Sequence, residues 1–489
     1  MADTPFFSAL RPYLAPMGSR TDQVLQEVRS FTLCRLENCF ARWMPTDLFP
    51  KAPEKSNSRD RHYTRWRTFW CMLWQSLNPN ASGREVVRQL QALFQLEGGP
   101  KLSEEDGAYC RARARLPLDQ FPQALAATAK SAQKSAPALS LLQGRRLQGV
   151  DGSAVTLPDT PKNRSAYPPI HCPKGPSFPM MRLVVLWSFA SGAICALAQG
   201  SLAVSELSLL TLLFNQLAKG DILVGDRGFG NFALMALLQQ SLGVDFVGRS
   251  MRRIDGRRRL KRLARNDWLI SWKRPCNRTP WLSLEQWLGL PQQLSLRAVK
   301  GSLFRKGYRV RQVTLVTTLV DPELYPAADI LEAYLRRWRL EMCLDDLKTT
   351  LGMEMLRCHS PLTCQKELYT RLIAHNLIRC TMIEAAVEHD LPLDQISFKG
   401  SLDAVRQFSQ AMAQARSQKK RRQLWDCLLQ TLAHDLLPER PGRREPRAVK
   451  RKKNRYPRLR GPRRRFRDHL KRHDRRRLSR ARKNLTPTK

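Results

Sequence analysis

The spacing of apolar residues changes along the chain and divides it into helical and β-rich parts. Over the first 140 residues, segments such as RDRHYTRWRTFWCMLWQSL carry apolar side chains three and four positions apart, which predicts helices. From Leu147 onward, short β-rich runs follow one another, and helical segments separate the later ones. Three strands in succession, followed by strand, helix and strand, predict an α/β layer.

A second β-rich stretch lies between Phe246 and Asp321, and a helical pattern returns at about Ala327. We interpret this stretch as an insertion into the α/β layer. The predicted organisation is a helical N-terminal DNA-binding domain (1–140), a first part of the α/β core (145–250), a β-rich insertion (251–325), a second part of the core (326–380), a helical region (381–438) and a disordered basic tail (439–489).

The segment from Leu183 to Ser205 has no charged residue and is long enough to ask whether it crosses a membrane. Polar residues and glycines interrupt it, and VVLWSFA followed by Ser-Gly and AICALA favours two buried strands joined by a tight turn. The N-terminal residues do not resemble a signal peptide. We therefore expect a protein that stays inside the cell, with no membrane partner.

The net charge is strongly positive, with 84 Lys and Arg against 42 Asp and Glu and a formal charge of +42. Half of that excess lies between residues 440 and 489, which hold 24 basic and 3 acidic residues. The tail lacks the sustained apolar face of a membrane anchor, so nucleic acid is the favoured partner. Two hypotheses remain for the tail, namely non-specific DNA binding and a solvated appendage that the chemistry does not need.

Local patterns elsewhere are less specific. A helix, the turn LEGGPKLS and a basic helix carrying Arg111, Arg113 and Arg115 would suit a helix-turn-helix DNA reader, although many helical domains contain such a pair. The 12 Cys residues include no C-x-x-C pair, which favours reduced thiols over a zinc site.

Two acidic residues follow apolar β-rich runs and precede glycines. Asp151 lies in LQGVDGS, and Asp226 ends the run ILVG and precedes RGFG. Carboxylates at such positions are candidates for holding metal ions, and they are equally common in turns. Position alone does not separate these two interpretations.

A third acid lies in DILEAYLRRWRLEMCLDDLK. In a continuous helix, Tyr334, Arg337, Glu341 and Lys348 would lie within roughly 60° of one another on one face. Such a face suits a metal-binding carboxylate flanked by groups that hold phosphates. It also suits an ordinary solvated face on which Arg337 and Glu341 form an ion pair. Asp345, one turn later, is an alternative ligand.

The spacing Y-x2-R-x3-E-x6-K resembles the signature around the third acid of the DDE transposases of the insertion-sequence 4 family. The segments DGSAVTLPDTPKN and DILVGDRGFGNF resemble the other two motifs of that family, and the resemblance covers roughly residues 80 to 380. It implies a ribonuclease H-like mixed sheet with Asp151 on the first strand, Asp226 at the end of the fourth and Glu341 on a later helix. It also implies the β-rich insertion between the second and third acids.

The resemblance further implies roles for these residues. Asp151, Asp226 and Glu341 would be catalytic and would bind two Mg²⁺ ions, for which Mn²⁺ could substitute. DNA would contact four further residues: Tyr334, Arg337, Lys348 and Arg227. A tryptophan of the insertion would hold a flipped base, and the candidates, for which core packing is the alternative role, are Trp268, Trp272, Trp281 and Trp287.

The function expected from the sequence is that of a bacterial insertion-sequence transposase. Such a protein binds terminal inverted repeats, cleaves DNA with metal ions and joins the ends to target DNA, acting as a homodimer in the bacterial cytoplasm on nucleoid DNA. A nuclease of the same fold and a catalytically inactive, domesticated DNA-binding protein are the alternatives.

Overall fold

The computed structural model describes residues 36–45, 47–49, 62–96, 101–136, 141–169, 171–172, 175–250, 254, 259–303, 311–415 and 417–438. The basic segment 439–489, which we predict to be a disordered tail, lies outside these residues, as do the first 35 residues.

Helices form the first part of the described chain, as the apolar spacing predicts. They are α1 (Leu36–Phe40), α2 (Arg65–Leu77), α3 (Gly83–Leu96), α4 (Gly107–Arg115) and α5 (Gln120–Ser135). Hydroxyl side chains fix two of their starts: Thr64 accepts a hydrogen bond from the Arg67 amide, and Ser82 accepts one from the Glu85 amide. The large apolar side chains of these helices share one hydrophobic core with the C-terminal helices and one face of the sheet.

The α/β part begins at residue 141. Its elements are β1 (Leu141–Leu142), β2 (Arg145–Thr156), α6 (Pro161–Ala166), β3 (His171–Cys172), β4 (Gly175–Pro176), β5 (Met180–Ser188), β6 (Ile194–Ser201), α7 (Glu206–Thr211), β7 (Ile222–Gly225), α8 (Phe232–Leu237) and β8 (Asp245–Arg249). The strands β5 and β6 form the antiparallel hairpin predicted for the uncharged segment 183–205. No helix of the described residues is long and apolar enough to span a membrane.

The insertion consists of β9 (Arg259–Ala264), β10 (Asp267–Lys273), α9 (Leu284–Leu288), β11 (Gln293–Leu303) and β12 (Arg311–Thr317). Its strands continue the main sheet, whose order is β6-β5-β2-β7-β8-β12-β11-β10-β9. Strands β2, β7 and β8 are parallel, whereas the other pairs in this order are antiparallel. The predicted mixed sheet, interrupted in sequence by a β-rich insertion, is confirmed.

Both faces of the sheet are covered, because neighbouring residues of a strand point to opposite sides. Leu147 and Val224 pack into the core that contains the helices on one side. Val150 and Leu223 pack into a second core with α7 and α8 on the other side. Strand β2, which contains Asp151, and strand β7, which precedes Asp226, therefore lie in the buried central part of the sheet.

The third motif lies in a helical path with two irregular turns, followed by the C-terminal helices. The elements are α10 (Ala327–Leu335), α11 (Trp338–Asp345), a π-helical turn (Asp346–Thr350), α12 (Pro361–Glu388), α13 (Phe398–Gln414) and α14 (Gln418–His434). The prediction of one continuous helix over the motif is thus wrong. At Arg337 the backbone amide bonds to the Tyr334 carbonyl three residues back, which tightens the path by a short 3₁₀-like turn.

A buried ion pair joins the insertion to this helical path. Arg297 on β11 donates to both carboxylate oxygens of Asp267 on β10, and both side chains are at most 2% exposed. The same guanidinium donates to the backbone carbonyls of Asp321 and Tyr325, at 3.2 and 2.6 Å. The loop that leads into α10 is therefore held against the insertion strands.

Candidate active site

Strand register brings Asp151 and Asp226 next to each other. Val150 of β2 pairs with Gly225, the last residue of β7, so Asp151 and Asp226 occupy the next position on two adjacent parallel strands. Neighbouring strands are about 4.8 Å apart. Strand β2 runs on to Thr156 after β7 has ended, and this leaves the edge beside Asp151 open.

Helix α11 places Glu341 over the same edge. Leu340 packs against β2 at Gly149, where an added Cβ would lie only 2.3 Å from the Leu340 Cδ1 atom. The absence of a side chain at Gly149 therefore lets α11 approach the strand two residues before Asp151. Glu341 is the next residue after Leu340, and its side chain is 40% exposed.

Tyr334 and Arg337 lie on the same side as Glu341 despite the tightened turn. The Arg337 Nη2 atom donates to Glu341 Oε1 at 2.6 Å, and the guanidinium carbon is 5.7 Å from the centre of the Tyr334 ring. Tyr334 is buried, and burial raises the pKa of its hydroxyl. The sequence left two interpretations of this helix face, an ordinary ion pair and a group of residues around a carboxylate. The structure contains both, because Arg337 pairs with Glu341 and Tyr334 lies beside them.

The electrostatics of Asp151 link all these elements. The pKa of Asp151 is raised to about 6; burial is the largest cause, and the negative charges of Asp226 and Glu341 also act to raise it. The Gly152 amide, which donates to Asp151 Oδ1 at 2.8 Å, and the positive charge of Arg337 act in the opposite direction. Three carboxylates from three separate elements therefore act on one another at one edge of the sheet.

The donor chemistry of this group fits a hard divalent cation, which prefers carboxylate oxygens. Within the described part of the chain, no three acidic, His or Cys side chains are already arranged around a common metal position. Each acid instead directs one oxygen to another donor: Asp151 to the Gly152 amide, Asp226 to the Gly228 amide at 2.7 Å, and Glu341 to Arg337.

The other residues predicted from the sequence are more scattered. Lys348 lies in the π-helical turn, seven residues beyond Glu341, and is partly exposed, while Arg227 is exposed directly after Asp226. Asp345 is exposed on α11, whereas Glu341 is the acid whose charge acts on Asp151.

Of the four candidate tryptophans, Trp272 and Trp287 are buried in the core and cannot stack on a base. Trp268 and Trp281 are partly exposed, and the Arg259 guanidinium lies 4.3 Å from the Trp268 ring centre. Trp268 and Trp281 therefore remain the candidates for holding a base.

Two residues near the acids were missed at the sequence level. Arg249 ends β8, which lies beside β7, and its positive charge acts on Tyr334. Its guanidinium makes no hydrogen bond or ion pair with any described residue. Glu206 begins α7, and the negative charge of Asp226 acts on it. Neither lies in a recognisable motif: the parallel pairing of β7 with β8 places Arg249, and the packing of α7 on β2 places Glu206.

The raised pKa of Asp151 predicts a pH-dependent stability. The pKa of Asp151 in the folded protein lies above its pKa in the unfolded chain. The protonated carboxyl therefore stabilises the fold fully at about pH 4 and below, and this contribution is lost as the pH rises through about 6. In the metal-free protein at pH 8, Asp151→Asn should raise the free energy of unfolding by about 2 kcal/mol. Denaturant unfolding in EDTA at pH 5 and pH 8 measures this.

At pH 5 the gain from Asp151→Asn should be about half as large, because the carboxyl of the unfolded chain is then already ionised while that of the native protein is still mostly protonated. Asp345→Asn, an exposed carboxylate on α11, is the control and should change little at either pH. An equal effect of Asp151→Asn at both pH values would contradict the assignment.

The sequence of this chain is similar to known transposases. Residues 143–377 match the family model described as "Transposase DDE domain". The chain is 25% identical over 393 residues to the transposase InsG for insertion sequence element IS4 of Escherichia coli (strain K12), covering 79% of this chain and 85% of that protein. A solved structure of the piggyBac transposase synaptic complex with hairpin DNA is similar over 83% of this chain and 87% of that chain, at 11% identity and a TM-score of 0.40.

Proposed function

We propose that this protein is a DDE transposase of the insertion-sequence 4 type, because residues 143–377 match the transposase DDE domain and the chain is similar to the transposase InsG. It binds the terminal inverted repeats of an insertion sequence, cleaves DNA there and joins the freed ends to target DNA. The observation that carries this proposal is the meeting of Asp151, Asp226 and Glu341, from two parallel strands and a helix, beside Tyr334 and Arg337. DNA is the partner, and pairing two ends calls for at least a homodimer.

The three acids would hold two Mg²⁺ ions, for which Mn²⁺ could substitute. When bound, such ions activate the attacking water or hydroxyl and neutralise the leaving oxygen. The chain's own contribution is position: β2 and β7 fix the two aspartates in adjacent register, and the packing of Leu340 on Gly149 fixes the height of Glu341 above them. In-line attack at phosphorus needs this alignment.

The cations around the acids would hold the DNA backbone. Arg337 forms its ion pair with Glu341, so a DNA phosphate that takes over the guanidinium would also release the carboxylate for a metal ion. Lys348 and Arg227 would contact phosphates further along the strand. A partly exposed tryptophan of the insertion, Trp268 or Trp281, would stack on a flipped base.

Arg249 is a further phosphate ligand in this proposal. It lies at the end of β8 beside Tyr334 with no partner among the described residues, and a guanidinium suits bidentate contact with phosphate. We expect Arg249→Ala to weaken binding of end DNA about tenfold and to lower the salt slope of binding by about one. Fluorescence anisotropy over a salt series measures both quantities.

The matched control for Arg249 is Arg339→Ala, which removes an arginine of α11 that pairs with Asp394 at 2.7 Å. This control should bind end DNA like the native protein. Equal affinities and equal salt slopes for Arg249→Ala and the native protein would remove Arg249 from the DNA contacts.

The rival functions differ in their products. A nuclease of the same fold would cut end DNA without linking it to a target, and a domesticated binding protein would do neither. The presence of all three acids and of the Tyr334, Arg337 and Lys348 set favours the transposase over the binding protein.

A further inference from the structure

A fourth carboxylate lies at the open edge of β2. Glu206, the first residue of α7, places its carboxylate directly on the backbone of Gly152, the residue after Asp151. A Cβ added to Gly152 would lie 2.3 Å from the Glu206 carboxyl carbon and 2.5 Å from each of its oxygens. No side chain other than hydrogen is compatible with this placement, so Gly152 leaves the room that Glu206 occupies.

The Glu206 carboxylate is partly buried, yet it makes no hydrogen bond or ion pair with any residue that the structure describes. Arg182, whose positive charge acts on it, donates instead to the backbone carbonyl of Val204 at 2.6 Å. Ser205 caps α7 by accepting from the Ser208 amide at 3.1 Å, so the start of the helix is fixed without Glu206. A partly buried carboxylate with no donor costs free energy that a bound cation would offset.

Glu206 approaches the site from the side of the sheet opposite to α11. Gly152 and Asp151 are neighbours on β2 and therefore face opposite sides. Asp226 follows the last residue of the adjacent strand β7, and its charge acts on both Asp151 and Glu206. The charge of Asp226 thus links Asp151, on the face of the sheet that α11 covers, with Glu206 on the opposite face.

We propose that Glu206 is a fourth carboxylate of the metal centre and helps Asp226 to hold a divalent ion. This inference rests on the proposed function, because it needs the metal centre formed by the other three acids. The first turn of α7 and the positive charge of Arg182 stabilise the Glu206 carboxylate in part, but neither gives its oxygens a hydrogen bond among the described residues. Its free oxygens are ligands of the type that Mg²⁺ and Mn²⁺ accept.

Mn²⁺ binding to the full-length protein tests the proposal without any cleavage step. Free Mn²⁺ is measured by electron paramagnetic resonance during a titration at pH 7.5 for the native protein and for Glu206→Gln, Asp226→Asn and Glu332→Gln. Glu332→Gln is the control, since it removes an exposed carboxylate of α10 that pairs with Arg336 at 2.7 Å. We expect Glu206→Gln to raise the Kd for Mn²⁺ about tenfold, the low end of the effect of losing one residue that supports a metal site. Glu332→Gln should match the native curve.

A second variant moves the carboxylate and keeps its charge. Gly152→Ala introduces a methyl group where the Glu206 carboxylate lies, so it should weaken Mn²⁺ binding about as much as Glu206→Gln. Thermal unfolding without metal, measured on both variants, separates this loss from a failure to fold.

The outcomes separate the role of Glu206 from the existence of the metal centre. If Asp226→Asn loses Mn²⁺ while folded Glu206→Gln and Gly152→Ala bind it like the native protein, the role of Glu206 is overturned and the metal centre stands. If Asp226→Asn also binds Mn²⁺ like the native protein, the metal centre of the proposed function fails, and the role of Glu206 fails with it.

Discussion

Replacing Asp151, Asp226 or Glu341 with the corresponding amide is expected to lower DNA cleavage by at least about a thousandfold. Each amide keeps the size of the side chain but loses the charge that would hold a cation, and a rate loss of that size corresponds to about 4 kcal/mol of transition-state stabilisation. Binding of end DNA should stay within about threefold of the native value, because we propose that other residues make the phosphate contacts. Cleavage of a labelled end duplex in Mg²⁺ and a parallel gel-shift titration measure the two effects.

Asp345→Asn supplies the matched control for these variants. Asp345 is an acid on the same helix as Glu341, but it is exposed and its charge is not among those that act on Asp151. The control should cleave at the native rate. Native cleavage by any of the three amide variants, or loss of cleavage in Asp345→Asn with Glu341→Gln active, would contradict the assignment of the acids.

The largest effect on stability is expected from Asp267→Ala. This substitution leaves the Arg297 guanidinium, which is 1% exposed, buried without its carboxylate partner. Breaking a buried ion pair from one side costs roughly 3–5 kcal/mol, and the loop before α10, which Arg297 also binds, should loosen. Denaturant unfolding measures the loss, and cleavage assays should show reduced activity because α10 and α11 carry Tyr334 and Glu341.

Glu332→Ala breaks a comparable but exposed pair, in which Arg336 is 25% and Glu332 62% exposed. Such a pair contributes only about 0.5 kcal/mol or less, so this control should change stability little. A similar small effect of Asp267→Ala would mean that the insertion is not held to the helical path through Arg297.

The acids themselves could be predicted because their motifs are local. The sequence shows an apolar run that ends in Asp226 and a β-rich run with glycines around Asp151. Tyr334, Arg337 and Glu341 lie within eight residues of one another, so one irregular helical turn between them does not move them to different sides. The structure keeps these three together even though a tightened turn at Arg337 interrupts the helix.

Arg249 and Glu206 could not be predicted, because nothing near them in sequence points to the site. Arg249 reaches it through the pairing of β7 with β8, and Glu206 through the packing of α7 on the far face of β2. Both contacts are set by long-range register. The direction of Lys348 was predicted from a regular α-helix. Lys348 lies in a π-helical turn instead, and the rotation per residue of that turn differs from that of an α-helix.

Strand transfer distinguishes a transposase from its two rivals. A labelled duplex of the DNA that flanks the coding sequence is incubated with the protein, Mg²⁺ and a supercoiled plasmid, with Asp226→Asn as the inactive control. We expect labelled ends covalently joined to the plasmid with the native protein and none with Asp226→Asn. Cut ends without any joined product would indicate a nuclease, and intact, bound ends would indicate a binding protein; either result would overturn the proposed transposase function.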